Sequence, residues 1–146
     1  MNKYEEKINK FVASLEVFYL KLHALHWNVT GKNFKAIHEY VESLYDDATE
    51  TLDSAAEQLK IQGLYPVASY AESAKLSIIS EWTEKRDLTQ KEVVESLISD
   101  YQALSTLAKE IRDEAVAADD FFYSNFYEDV IADYAKVLWF LKAMDR

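Results

Sequence analysis

Apolar residues recur along this chain at steps of three and four, the repeat of one face of an α-helix. The first such stretch carries Ile8, Phe11, Val12, Leu15, Phe18, Tyr19, Leu22 and Leu25. It is expected to end near Asn28–Gly31, where glycine can take the left-handed position past a helix C-terminus. The second carries Phe34, Ile37, Val41, Leu44, Ala48, Leu52, Ala55 and Leu59. Asn33 is placed to cap its start, and Gly63 followed by Pro66 ends it. A third stripe runs through Val94, Leu97, Tyr101, Leu104, Ala108, Ile111 and Ala115, opened by a capping box at Thr89 and Glu92. A fourth runs through Phe126, Val130, Ile131, Tyr134, Leu138 and Leu141, with Asp119 or Asp120 as its cap.

Residues 64–88 form the one long connection, and AESAKLSI within it can make a short helix. Two helices, a long crossover and two more helices predict an all-α, four-helix bundle with the connectivity of ferritin-like proteins. No repeat, low-complexity segment or second domain interrupts the pattern, so residues 1–146 read as a single domain. Two glycines and one proline are too little turn punctuation for an all-β fold.

Cysteine is absent, which excludes disulfides, thiolate metal sites and cysteine nucleophiles. A metal would have to be held by oxygen and imidazole nitrogen. The formal net charge of −10 disfavours nonspecific binding to DNA or to anionic membrane, and suits a protein that handles cations. No stretch approaches the ~20 apolar residues of a membrane span. The opening MNKYEEKINK lacks the apolar core of a signal peptide, so a cytoplasmic protein is expected.

His26 lies at the end of the first apolar stripe. His38 and Glu42 are four residues apart on the second helix, and Asp53 and Glu57 repeat that spacing further along. At 100° per residue, Glu42 and Asp53 differ by only ~20° around the axis. One face of the second helix therefore carries imidazole at one end and carboxylates at both. His38 and Asp53 are fifteen residues apart, ~22 Å along the axis, and cannot share one ion within a chain. A two-fold dimer pairing the second helices antiparallel would bring Asp53 and Glu57 of one chain to His26, His38 and Glu42 of the other, making two equal sites. Two imidazoles and three carboxylates suit iron(II), manganese or zinc, and the carboxylates also stabilise iron(III).

Plainer readings fit the same residues one at a time. His26 can be a hydrogen-bonded core histidine, His38 and Glu42 a surface pair, and Asp53 with Glu57 a solvated acidic face near Lys60. His23 points to a neighbouring face and reads as ordinary. Asp46, Asp47 and Glu50 read as solvated.

The stretch LHALHWNVTGKNFKAIHE, from Leu22 to Glu39, and its continuation LDSAAE to Glu57 resemble the Dps family of mini-ferritins. Order and spacing match that family's ferroxidase motif, H-x11-H-x3-D-x10-D-x3-E, with one acid-for-acid exchange. The resemblance implies that His26, His38, Asp53 and Glu57 are metal ligands and catalytic residues in a site between two-fold-related subunits. Glu42 falls where the family usually has Asp. Trp27 follows the first ligand, in a role of packing or of quenching radicals near the metal. The resemblance also implies a hollow homo-oligomer, a dodecamer. It would oxidise iron(II) with hydrogen peroxide or oxygen, keep the ferric mineral inside and so limit oxidative damage. Asp120 and Asp129 stand where the family's iron-entry pores carry acids, and Asn125 departs from that pattern. Many members bind DNA through a lysine-rich tail. Three residues precede Tyr4 here and the chain closes on Met144-Asp145-Arg146, which argues against direct DNA binding.

Two other functions compete. A di-iron site inside each bundle would need Glu-x-x-His pairs, but His23 and Lys35 stand three residues before His26 and His38. A non-catalytic helical shell or interaction protein with a vestigial site is the other.

Overall fold

Five helices follow one another: α1 (Lys3–Asn28), α2 (Phe34–Ile61), α3 (Tyr70–Leu76), α4 (Gln90–Ala117) and α5 (Phe121–Met144). They come from a computed structural model that describes residues 2–146. The described residues contain no strand, only one isolated backbone bridge between Val29 and Leu88. The all-α, ferritin-like reading holds, with α3 as the short helix of the crossover.

Local chemistry sets the helix ends. The Asn2 side chain accepts the Glu5 N–H at 2.9 Å, and the Asn2 N–H donates to the Glu5 carboxylate at 3.1 Å. Thr89 and Glu92 make the same reciprocal box at α4, at 3.1 and 2.9 Å. Past α2, Gly63 takes φ +79°, its N–H bonds the Lys60 carbonyl at 3.0 Å, and the Leu64 N–H bonds Leu59 at 2.8 Å. Those two bonds satisfy carbonyls that a helix end leaves open.

Past α4 the same pattern forms around Asp119 at φ +57°, through Asp119 to Val116 and Asp120 to Ala115. A side chain is strained there where glycine is not. Asp119→Gly is therefore expected to stabilise the fold by about 0.5 kcal/mol, seen as a higher urea midpoint. A lower midpoint would contradict this account of the turn.

Two caps differ from expectation. Asn33 occupies the first cap of α2 but accepts no helix N–H; its amide donates instead to Gln90 at 2.8 Å. Asp120 occupies the cap of α5, yet its carboxylate takes the Tyr4 hydroxyl at 2.6 Å. That bond pushes the Tyr4 phenol up to about 12 and ties the start of α1 to the start of α5. Gly31 is left-handed at φ +113°, but α1 has already ended in an extended Val29, so Gly31 serves the turn into α2.

α1 packs on α2, α3 and α4, and α4 packs on α5. The stripes of α1 and α4 are buried as expected, apart from exposed Tyr19; Phe34 of α2 is also exposed. In α5 the buried face is Tyr123, Tyr127, Val130, Tyr134 and Leu141, while Phe126, Ile131 and Leu138 are only half-buried. Aromatic packing explains the shift. Tyr127 meets Phe11 edge-on at 5.5 Å and Tyr134 meets Tyr101 at 5.1 Å, filling the core with large rings. Between α1 and α4, Lys21 and Asp100 form a buried ion pair at 2.8 Å. The end of the crossover is bound to the turn between α1 and α2. Leu88 donates to the Asn28 carbonyl at 2.9 Å and accepts the Thr30 N–H at 2.8 Å.

Candidate metal centre

The short turn after α1 brings His26 and His38 together. Their rings stack with centroids 3.6 Å apart and planes 12° from parallel. His26 Nδ1 donates to the His38 carbonyl at 2.6 Å, and His38 Nδ1 donates to the His26 carbonyl at 2.7 Å. The exchange has a local cause. His26 stands in the last turn of α1, where carbonyls lack a partner further along the helix. The His38 carbonyl has a second lone pair to offer the ring.

A carbonyl can only accept, so both Nδ1 atoms carry hydrogen. In each neutral ring Nε2 is then a bare lone pair, the form a metal ion requires. Glu42 reaches the same place: its Oε1 lies 3.9 Å from His26 Nε2, with the histidine side chain buried and the glutamate half in solvent. Ligand atoms ~2.1 Å from one ion can be up to ~4 Å apart, so this separation is within the span of a single cation.

Asp53 and Glu57 lie further along α2 and are both exposed. Lys60 does not neutralise them. Its ammonium sits over the Tyr65 ring, 4.1 Å from the centroid. Among the described residues of one chain, no three or more His, Asp or Glu side chains gather closely enough to hold a metal ion. The histidine end and the carboxylate end of this face are separate in the single chain.

Comparison with known proteins bears on the family. A ferritin-like domain model matches residues 5–146. The DNA protection during starvation protein of Brevibacillus brevis is 36% identical over 136 residues, 93% of this chain and 90% of its own. The chain belongs to the Dps family. Antigen TpF1 from Treponema pallidum has a similar structure, with a TM-score of 0.95 and 33% identity over 98% of this chain and 91% of that one. A Dps protein from Vibrio cholerae, described as a member of a broad superfamily of ferritin-like diiron-carboxylate proteins, has a TM-score of 0.92 and 26% identity, covering 98% and 89%. Dps membership supports, in general terms, a part in iron storage and protection from oxidative damage. No helix among the described residues is long and apolar enough to cross a membrane.

The surroundings of this Dps histidine pair contain groups that helical spacing did not single out. His23, read as ordinary, stacks on Tyr45 at 3.8 Å and donates from Nδ1 to the Tyr19 carbonyl at 2.7 Å. Tyr45 in turn meets the His26 ring edge-on at 5.2 Å. Trp27 lies 5.4 Å from His23 and is exposed rather than packed in the core of the chain. The i,i+4 spacing of His23 and Trp27 was the available signal. The place of Tyr45 depends on how α1 and α2 pack.

Proposed function

We propose that this Dps chain is a ferroxidase that oxidises iron(II) with hydrogen peroxide or oxygen and stores the ferric mineral in a hollow homo-oligomer. The proposed assembly is a dodecamer in the cytoplasm. Its site takes His26, His38 and Glu42 from one chain, and Asp53 and Glu57 from a second chain across a two-fold axis. The observation that carries this reading is the reciprocal pair of imidazole–carbonyl bonds, which engages both Nδ1 atoms and leaves both Nε2 atoms free, that of His26 3.9 Å from the Glu42 carboxylate. The unpaired acids on the same face of α2 supply the other half. Exposed Leu20, Trp27, Ile61 and Trp139 are the kind of apolar surface that a second copy covers.

The donor set fits iron in both oxidation states. Imidazole nitrogen suits iron(II), and carboxylate oxygen stabilises iron(III), so the site favours the oxidised product. The backbone bonds keep each ring oriented as a ligand without further reorganisation. Two iron(II) ions supply the two electrons that turn one peroxide and two protons into two waters. Glu42 extends one methylene further than the usual Asp, and its exposed position gives that longer arm room to turn.

Anaerobic iron(II) titration followed by peroxide tests the reading. Saturable iron(II) binding, then rapid oxidation to a soluble ferric core, is expected. Iron oxidation no faster than in buffer would favour the vestigial shell protein.

A further inference from the structure

Burying tyrosine costs more than burying phenylalanine, because a phenol taken out of water needs a new partner. One stripe of α5 nonetheless carries Tyr123, Tyr127 and Tyr134, within ~40° of one another around the axis. Tyr127 is fully buried, and its hydroxyl has no hydrogen-bond partner among the described residues. Its ring packs on Phe11 and Phe126, and Tyr134 packs on Tyr101. Phenylalanine would fill the place of Tyr127 without an orphaned hydroxyl, so packing alone does not account for this stripe.

The phenols at the start of the stripe are different. Tyr123, buried, donates from α5 to the Glu5 carboxylate of α1 at 2.8 Å. Tyr4 of α1 donates the other way, to the Asp120 carboxylate at 2.6 Å. The two rings lie edge to face with centroids 5.7 Å apart. Two phenol–carboxylate bonds therefore stand side by side where α1 and α5 begin. At rest the carboxylates keep both protons on the phenols: the Asp120 bond pushes Tyr4 up, and burial followed by the Glu5 bond pushes Tyr123 up. Loss of an electron reverses that balance, because an oxidised phenol is a strong acid. Its proton then has an acceptor across a bond already formed. Tyr127 lacks such an acceptor, so a missing electron is held better at Tyr4 and Tyr123 than deeper in the stripe.

We propose that Tyr4 and Tyr123, with Asp120 and Glu5 as their proton acceptors, form a one-electron redox site at which oxidising equivalents entering the protein come to rest. An oxidant takes one electron from the Tyr4 ring. The phenol O–H bond breaks, and the proton passes to Asp120, leaving a phenoxyl radical beside a carboxylic acid. Tyr123 and Glu5 react in the same way. Under the proposed function the oxidant is the hydroxyl radical formed, with hydroxide, when a single iron(II) gives peroxide one electron. That radical accepts the tyrosine electron and becomes hydroxide. A further iron(II) returns one electron to the phenoxyl radical, the carboxylic acid returns the proton, and iron(III) is the product. The source of the oxidant rests on the ferroxidase reading, whereas the redox site does not.

The azide radical, a one-electron oxidant of indoles and phenols that is generated without iron, is the probe. Electron paramagnetic resonance of the intact protein, frozen after a pulse of that radical, should show a long-lived tyrosyl signal. Tyr4→Phe/Tyr123→Phe should lose most of it. Tyr65→Phe/Tyr70→Phe, which removes two exposed phenols, should keep it. Asp120→Asn/Glu5→Gln leaves both rings in place but replaces each proton acceptor by an amide, and should slow formation of the signal. Bonds that only tie α1 to α5 would change the thermal midpoint of these variants and leave the radical as it was. No tyrosyl signal in the parent, a full signal in folded Tyr4→Phe/Tyr123→Phe, or an unchanged rate in the amide variant would overturn the proposal. None of these measurements uses iron, so a failure here is separable from a failure of the ferroxidase reading.

Discussion

Asp53→Ala/Glu57→Ala is expected to lower peroxide-driven iron(II) oxidation by at least about 100-fold while leaving the thermal midpoint and the helical content unchanged. Loss of groups that merely support a metal ligand costs about 10–100-fold, and here two ligands disappear. Stability should hold because both side chains are exposed on α2 and alanine is the best helix former. The prediction is pointed because neither residue is near the histidine pair within its own chain. A stopped-flow assay at fixed iron per subunit, beside circular dichroism and a sizing column, separates lost chemistry from lost assembly. Oxidation within a factor of about two of the parent would mean that these acids are only a solvated face.

The largest expected stability effect lies away from the site. Asp100→Leu leaves the Lys21 ammonium buried without its 2.8 Å partner and is expected to cost about 3 kcal/mol. Burial raises the Asp100 carboxyl above its ordinary range even though Lys21 pulls it back, so desolvation is the larger effect at this carboxyl. The double change Lys21→Met/Asp100→Leu should accordingly recover most of the loss, since apolar replacements often match a buried ion pair. Urea denaturation at one fixed protein concentration, as an oligomer requires, reads both. A single variant within 1 kcal/mol of its parent, or a double variant as unstable as the single one, would contradict this view of the pair.

Several features were legible from the order of residues alone. The four long helices follow from apolar spacing, and Thr89 with Glu92 marks the start of α4 because both halves of that box are local. The phase of α5 was legible only in part: Val130, Tyr134 and Leu141 are buried as expected, but Tyr123 and Tyr127 were not foreseen. Phe126, Ile131 and Leu138 outrank tyrosine in apolar character, yet the tyrosine rings fill the core while a hydroxyl such as that of Tyr123 reaches Glu5 at 2.8 Å. Asn33 and Asp120 show the limit of cap signals. Each stands at the cap position, and each spends its side chain on a distant partner that only the packed bundle supplies.

The site divides in the same way. A short turn suffices to foretell that His26 and His38 approach each other. Their exchange of backbone bonds was hidden, because it depends on carbonyls left open where α1 stops. Lys21 and Asp100 were hidden for another reason: charged residues interrupt an apolar stripe and read as surface until a partner helix is in place. Tyr45 likewise joins His23 and His26 only through the packing of α1 on α2.

Mixing two inactive chains tests most directly whether the iron site is shared between copies. One chain carries His26→Ala/His38→Ala and the other Asp53→Ala/Glu57→Ala; they are reassembled together and mixing is confirmed by mass. Each mixed dimer should regain one intact site, so rapid iron(II) oxidation should return to a fraction of the parent rate set by the share of mixed pairs. Confirmed mixed assemblies that stay as slow as either chain alone would contradict a site built from two subunits.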